Sequence, residues 1–101
     1  MKELFVNTDT YELPEEASQG KVLLDFYSKT CGPCKMVASE LAKLDMELDF
    51  TLIKVDVEEF ANIAGDYEVF SVPTLVFLND NEEYKRTTGF ITSKQIESHL
   101  K

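Results

Sequence analysis

Two cysteines separated by two residues are the side chains of this sequence best suited to chemistry. Cys31 and Cys34 follow an apolar run at residues 22–27, which is typical of a buried strand. They also open a helical pattern over residues 31–48. The apolar side chains of this pattern recur every three or four residues and form one stripe: Val37, Leu41, Leu44 and Leu48.

The two thiols are expected to differ in exposure. Cys34 precedes Val37 by three residues and falls on the inward face of the predicted helix, whereas Cys31 lies at its exposed tip. Unpaired backbone N–H groups and the positive end of the helix dipole favour a thiolate at that tip. The pattern therefore predicts one exposed, activated thiol beside a shielded one, which suits dithiol–disulfide exchange.

Zinc binding and inert thiols are the alternatives for this cysteine pair. A structural zinc ion takes four ligands, and the single histidine, His99, lies far along the chain in the last predicted helix. We expect His99 on the solvated side of that helix and no metal site. The N-terminus lacks the apolar segment of a signal peptide, so we expect a cytoplasmic chain whose C-x-x-C pair performs redox chemistry.

The excess of acidic over basic residues restricts the classes of partner that the chain is expected to bind. Its 101 residues carry 10 Lys and Arg against 19 Asp and Glu, a net charge of −9. Since there is no basic block and no apolar run of membrane-spanning length, we expect neither nucleic-acid nor membrane binding. The length predicts one domain over residues 1–101, and we expect a monomer.

Alternating strand and helix patterns predict an α/β fold with a mixed central sheet. A short strand at residues 4–6 is followed by a helix-capping pattern at residues 7–9. Pro14 weakens the helical pattern of residues 10–19, and Gly20 ends it. The later elements are a strand at 50–57, a helix at 58–64 ending near Gly65, and strands at 74–78 and 83–88. A last helix begins at the capping-box pair Thr92 and Gln95 and buries Ile96 and Leu100.

Asp25 is an acidic residue in the middle of the apolar run at residues 22–27. One interpretation is a structural carboxylate that backbone hydrogen bonds satisfy. The other is a proton acceptor for Cys34, held partly protonated because desolvation raises its pKa. Lys54, in the neighbouring predicted strand, is its expected partner and would lower that pKa.

Several separate features occur in the order typical of one family. They are Asp25-Phe26-Tyr27, Cys31-Gly32-Pro33-Cys34-Lys35, Lys54-Val55-Asp56, Val72-Pro73-Thr74, and Gly89 before the last helix. From about Val22 to Leu100 the chain therefore resembles a thioredoxin. The resemblance implies a thioredoxin fold, with helices on both faces of the sheet. It also implies a protein-disulfide reductase in which Cys31 and Cys34 form the redox-active disulfide.

The resemblance also implies catalytic roles for Asp25 and Lys54 and a set of partners. Thioredoxins bind no cofactor themselves, and their reducing equivalents come from NADPH through a thioredoxin reductase. The other expected partners are disulfide-containing target proteins.

Pro73 is expected to follow a cis peptide bond, although only about 5–6% of X-Pro bonds in folded proteins are cis. In thioredoxins this bond lies against the active-site disulfide and leaves the backbone of the preceding residue, here Val72, free to pair with an extended substrate. Phe70 could belong to this rim or to the core. The other positions expected to contact substrate are Thr30, Gly32, Pro33, Gly89 and Phe90.

Two positions depart from the family pattern. Thr30 stands where thioredoxins usually carry a Trp before the first cysteine, and Ser39 stands where a proline usually kinks the helix. We expect the chain to bind a narrower range of substrates but to perform the same chemistry. Two further functions remain open: a dedicated reductant of one partner, and a thioredoxin-fold scaffold or binding subunit with secondary redox activity.

Overall fold

A computed structural model describes residues 2–6, 13–45 and 47–101 of the chain. The described strands are β1 (Lys2–Phe5), β2 (Lys21–Tyr27), β3 (Thr51–Asp56), β4 (Thr74–Asn79) and β5 (Glu82–Thr88). The described α-helices are α1 (Gly32–Leu41), α2 (Ala61–Asp66) and α3 (Ser93–Leu100), and a 3₁₀ turn covers Glu15–Ser18.

The strands form one mixed sheet in the order β1-β3-β2-β4-β5. β1 and β2 both run parallel to β3, and the parallel pairing of β2 with β3 is made possible by the crossover that contains α1. β4 is antiparallel to both β2 and β5, and Asp80 and Asn81 make the tight turn between β4 and β5 at φ of 50° and 70°. The predicted α/β fold with a mixed central sheet is confirmed.

Each face of the central strand β2 belongs to a different core. Its side chains Val22, Leu24 and Phe26 are fully buried in the cluster that contains Ile63 of α2. Leu23 points the other way, into the cluster formed with α1 and α3. By strand alternation Asp25 shares the face of Leu23, so its carboxyl group lies on the side of the sheet that α1 covers.

The helix predicted over residues 31–48 is shorter than expected. α1 ends at Leu41, and Leu44 and Leu48 lie in two successive turns, where their N–H groups donate to Leu41 O and Asp45 O. Beyond α1 the side chain of Asp45 accepts the N–H of Glu47 at 2.9 Å, which favours a turn over a return to helix. Leu44 is nevertheless buried, since consecutive turns keep the apolar stripe on the same side of the chain.

α2 also begins later than predicted, at Ala61 instead of residue 58. Asp56 Oδ1 accepts the N–H groups of Glu58 and Glu59 at 3.0 and 3.4 Å, which holds these residues in a turn before the helix. Gly20 ends the segment before β2 at φ 68°, where glycine is favoured. The capping pattern at residues 7–9 lies outside the described residues, as do residues 10–12 of the weak helical pattern.

The predicted capping box begins α3. Thr92 Oγ1 accepts the N–H of Gln95 at 3.3 Å, and Gln95 Oε1 accepts the N–H of Thr92 at 3.0 Å. Ile96 and Leu100 are buried against the sheet, as expected. The cap therefore fixes the start of the helix that closes one face of the fold.

Replacing Thr92 by Ala should lower the free energy of unfolding by about 1 kcal/mol, because the N–H of Gln95 loses its acceptor. Urea denaturation followed by circular dichroism measures this change. Ser98→Ala is the matched control: Ser98 lies inside the same helix and is exposed, so its loss should leave stability unchanged or slightly higher. Equal stability of Thr92→Ala and the unaltered protein would contradict the assigned cap.

Candidate functional site

Cys31 and Cys34 are joined by a disulfide at the start of α1, with their Cα atoms 5.2 Å apart. Cys31 is the N-cap residue, whereas the sequence pattern had predicted it within the first turn. Its Sγ accepts the N–H of Cys34 at 3.1 Å. Pro33 in the first turn favours helix initiation at this point, because its φ angle suits a helix and its missing N–H would have no partner.

The two cysteines differ in exposure as the sequence predicted. Cys34 is 5% exposed and belongs to the buried set, whereas Cys31 is half-buried. Once the disulfide is reduced, the N–H that points at Cys31 Sγ and the helix dipole would both stabilise a thiolate there. The geometry supports an accessible nucleophile with a shielded partner.

The loop before the cysteines is held by its own polar groups. The N–H of Cys31 donates to Ser28 O at 3.3 Å, and the hydroxyl groups of Ser28 and Thr30 lie 3.4 Å apart. Thr30 is exposed directly beside Cys31. It therefore offers a small polar surface where an aromatic side chain was expected from the family pattern.

Asp25 is 3% exposed and pairs in the sheet with Lys54 of β3. Burial raises the pKa of its carboxyl group to about 6; the charge of Lys54 lowers this pKa and the charge of Glu3 raises it. A cavity of about 140 Å³ is lined by Asp25, Lys54 and Ala38, among others. Since Ala38 lies one turn beyond Cys34 in α1, this cavity joins the buried carboxyl to the helix turn that follows Cys34.

Lys54 has a second acidic neighbour that sequence reasoning missed. Its ammonium lies 3.2 Å from Glu3 Oε1 and 5.8 Å from the centroid of the Phe5 ring. Both residues belong to the edge strand β1, whose parallel pairing with β3 places Phe5 opposite Lys54. No local pattern could have identified Glu3, because its place beside Lys54 depends on the order of the strands.

The Val72–Pro73 peptide bond is cis, as the resemblance implied. The N–H of Gly89 donates to Pro73 O at 2.9 Å, so Gly89 and Phe90 come beside the proline. Thr74 lies opposite Phe26 in the sheet. Pro73 is therefore next to the end of β2, from which the chain runs into the cysteine loop.

The remaining expected site residues are exposed to different degrees. Gly32 and Pro33 are exposed, Val72 is half-buried, and Phe90 is 49% exposed. Phe70 is 90% exposed, which assigns it to the surface and not to the core. Gly89 is also exposed, whereas Pro73 is buried. The start of α1 and the segments that carry Phe70 and Phe90 thus each expose apolar surface.

His99 is half-buried, and its ring packs edge-on against Phe77 at 5.3 Å, so it is less solvated than predicted. Among the residues described, no three His, Cys, Asp or Glu side chains are grouped to hold a metal ion. Within the same part of the chain, no helix has the length and apolar character needed to cross a membrane.

Comparisons with known proteins agree with this geometry. The family model described as Thioredoxin matches residues 3–101. The thioredoxin of Bacillus subtilis is 46% identical over 77 residues, covering 74% of each chain. The thioredoxin of Mycoplasmoides gallisepticum is 34% identical over 96 residues, covering 93% of this chain and 96% of its own.

Solved structures give the same result. A mutant thioredoxin of Halobacterium salinarum superposes with a TM-score of 0.87 at 32% identity, covering 98% of this chain and 88% of its own. Fasciola hepatica thioredoxin gives a TM-score of 0.74 at 29% identity, covering 84% and 82%. With its Cys31–Cys34 pair, the chain is a disulfide-reducing thiol–disulfide oxidoreductase, and it belongs to the thioredoxin family.

Proposed function

We propose that this chain is a cytoplasmic monomer that reduces disulfides in target proteins and is itself reduced by NADPH through a thioredoxin reductase. The observation that carries the proposal is the asymmetry of the cysteines: the N–H of Cys34 donates to the half-buried Cys31 Sγ, while Cys34 is buried. A reducing compartment suits a thiol pair that must return to its dithiol form.

Cys31 carries the first step. Its thiolate attacks one sulfur of the target disulfide, the target's S–S bond breaks, and a mixed disulfide forms between Cys31 and the target. The other target sulfur leaves as a thiolate and takes up a proton. The backbone N–H at Cys31 Sγ favours this step because it stabilises the attacking thiolate.

Cys34 carries the second step. Its thiolate attacks Cys31 Sγ, the mixed disulfide breaks, and the second target thiolate leaves and is protonated. Two electrons have then passed from the dithiol to the target, and the Cys31–Cys34 disulfide has formed. The reductase returns two electrons, and this chain binds no cofactor of its own.

Asp25 is the proposed proton acceptor for Cys34. Its carboxyl lies on the face of the sheet covered by α1, and the cavity at Ala38 leads toward the turn after Cys34. A pKa of about 6 leaves the acid mostly ionised at neutral pH yet basic enough to take a proton. Lys54 is the proposed positioning residue, because its charge keeps the buried carboxyl from being protonated throughout the neutral range.

The target segment is proposed to lie along the cis-proline loop. Val72 would pair with it through backbone hydrogen bonds, in the manner of an added strand. Apolar contacts would come from the exposed surface around the disulfide. The residues assigned to this contact are Thr30, Gly32, Pro33, Gly89 and Phe90, which are exposed, and Pro73, which is buried.

Replacing Cys34 by Ser should trap Cys31 in stable mixed disulfides with target proteins, because the resolving thiol is missing. Replacing Cys31 should trap nothing, since Cys34 is 5% exposed. The measurement is mass spectrometry of adducts formed with insulin, together with NADPH oxidation in the presence of a thioredoxin reductase. Adducts at Cys34 in the Cys31→Ser variant would reverse the assigned roles. If the unaltered chain failed to reduce insulin even with dithiothreitol, the reductase function would be refuted and the scaffold function would remain.

Replacing Asp25 by Asn should stabilise the fold at neutral pH by up to about 3 kcal/mol. Burial raises the carboxyl pKa from 3.8 to about 6, so ionisation destabilises the folded state. This cost is absent below pH 4, grows as pH rises toward 6, and is complete above it. Denaturant midpoints from pH 4 to 7 measure the effect, and single-turnover release of a labelled target should be slower at the Cys34 step.

Asp56→Asn is the matched control for this change. Asp56 is also a buried carboxylate, 5% exposed, but it accepts two backbone N–H groups. Asn keeps an oxygen acceptor but loses the charge that strengthens these bonds and that pairs with Lys29 at 3.9 Å, so the replacement should lower stability at neutral pH. If Asp25→Asn were less stable and resolved mixed disulfides at the unaltered rate, Asp25 would be structural.

Replacing Glu3 by Gln should lower the pKa of Asp25. The change removes a negative charge that raises this pKa, and it releases Lys54 from its ion pair at 3.2 Å. A carboxyl-detected NMR titration measures the midpoint for Asp25. Glu16→Gln, which breaks the exposed ion pair between Glu16 and Lys2 of the same strand, should leave the midpoint unchanged. Equal midpoints in all three proteins would refute the role of Glu3.

A further inference from the structure

α1 and α3 exchange two hydrogen bonds between side-chain carboxylates and backbone N–H groups. Glu40 Oε1 of α1 accepts the N–H of Ser93, the first residue of α3, at 2.8 Å. Glu97 Oε2 of α3 accepts the N–H of Asp45, in the turn after α1, at 3.0 Å. The two helices also share the apolar core on one face of the sheet. The two carboxylates therefore connect helices that already pack side by side.

The Glu40 carboxylate has a partner for each of its oxygens. The side chain is 13% exposed, and its second oxygen pairs with the ammonium of Lys43. The hydrogen bonds from Lys43 and from the N–H of Ser93 hold the pKa of Glu40 below its usual range, so the group is ionised at neutral pH. The bond to Ser93 is therefore charge-assisted, which makes it stronger than a bond between neutral groups.

The bond from Ser93 fixes one end of the segment that carries Phe90. At the other end of this segment, the N–H of Gly89 donates to Pro73 O at 2.9 Å. Between the two ends Ile91 is buried in the core, while Phe90 is 49% exposed. Residues 89–93 thus connect the cis proline to the last turn of α1, and they hold an exposed aromatic ring between the two anchors.

α1 continues without a break through Ser39, at the position where the family pattern has a proline. A proline inside a helix removes one N–H donor and kinks the helix. Ser39 instead adds a bond, because its hydroxyl donates to Lys35 O at 3.3 Å. An anchor at Glu40 therefore acts on the whole of α1, including the start of the helix that carries the disulfide.

We propose that Glu40 is a positioning residue for target binding: by holding Ser93, it sets the place of Phe90 relative to the start of α1. The inference rests on the proposed function, in which Phe90 contacts the target segment. Because Glu40 lies at the opposite end of α1 from the cysteines, its effect is confined to the docking of a polypeptide target. A segment that is already ordered loses less conformational freedom on binding, so it binds the target more tightly.

A purely structural role is the alternative for Glu40, and Glu97 provides the comparison. Both carboxylates join the same two helices through a backbone N–H, and both are partly buried. The bond of Glu97, however, goes to Asp45 and leaves residues 89–93 untouched. Loss of either bond should lower the free energy of unfolding, whereas only the loss of Glu40 should weaken the binding of a target.

Two disulfide substrates separate docking from chemistry. Insulin offers a polypeptide segment, whereas the symmetric disulfide of thionitrobenzoate offers only two sulfurs with their aromatic rings. In each reaction the Cys31 thiolate attacks one sulfur, Cys34 then displaces the mixed disulfide, and the substrate disulfide leaves as two thiols while the Cys31–Cys34 disulfide forms. Single turnovers of the reduced chain, quenched in acid and followed by mass spectrometry, give a limiting rate and a half-saturating concentration of insulin.

Glu40→Ala should raise the half-saturating concentration of insulin about tenfold, since ordering the backbone of a single residue costs about that factor in binding. The limiting rate and the reaction with the aromatic disulfide should not change. Glu97→Ala is the matched control: it removes the same charge and the same kind of bond, and it should alter neither reaction. Glu40→Gln should recover most of the loss, because its amide oxygen can still accept the N–H of Ser93.

Removing the donor should have the same effect as removing the acceptor. Ser93→Pro deletes the N–H at the first position of α3, where proline suits a helix, and the extended backbone of Thr92, at φ −85° and ψ 159°, can precede a proline. This change combined with Glu40→Ala should bind insulin no more weakly than either change alone, because both break one bond. Lys43→Gln removes the other partner of Glu40 and should leave insulin binding unchanged.

Three outcomes would overturn the proposal. Glu40→Ala might lower the denaturant midpoint in urea and keep the half-saturating concentration of insulin, which would make the role of Glu40 structural only. Equal effects of Glu40→Ala and Glu97→Ala on insulin would attribute the change to charge or to helix packing. Additive effects of Glu40→Ala and Ser93→Pro would show that their shared bond is not the cause. Failure of the unaltered chain to react with the aromatic disulfide would instead refute the proposed function itself.

Discussion

The hydrogen bond from the N–H of Cys34 to Cys31 Sγ is the interaction on which the arrangement of the site depends. It exists because α1 begins at the cysteine pair, so that its first N–H groups have no carbonyl partners within the helix. The position of this helix start is set in turn by β2, which lies in the centre of the sheet and delivers the chain to Cys31. A buried strand and an unsatisfied helix end together place one sulfur of an ordinary C-x-x-C pair where a thiolate would be stabilised.

The buried acid is the second constraint, and it opposes stability. Asp25 occupies a central strand between two apolar cores, where a carboxylate is poorly solvated, and its pKa rises to about 6 as a result. Lys54 offsets part of this cost, but its ion pair with Glu3 of the edge strand limits the compensation. The pKa of the acid therefore depends on three strands at once.

Much of this arrangement could be predicted from local sequence. The apolar run of β2, the difference between the two cysteines and the capping box at Thr92 each follow from a pattern within a few residues. The early end of α1 and the late start of α2 could not be predicted, because the side chains of Asp45 and Asp56 accept backbone N–H groups in turns where periodicity alone predicted helix. The cis bond before Pro73 was expected from the family resemblance and not from physical base rates, which favour trans.

Two groups of residues lay beyond sequence reasoning because they depend on topology. Glu3 and Phe5 reach Lys54 only through the pairing of β1 with β3. Phe70 could not be assigned to rim or core from sequence, because its exposure depends on the conformation of its loop. That conformation is held by hydrogen bonds that Arg86 and Val69 donate. The cis-proline loop, the start of α1 and the buried acid thus come from different parts of the chain, and all three lie along β2 or at its end.

Competitive alkylation of the reduced protein tests the asymmetry of the two thiols most directly. The reduced chain is treated with a limiting amount of iodoacetamide at neutral pH, and mass spectrometry of its peptides gives the modified fraction of each cysteine. We expect Cys31 to be modified much faster than Cys34, since its sulfur is both more exposed and stabilised as a thiolate. Equal rates at the two cysteines would contradict the account.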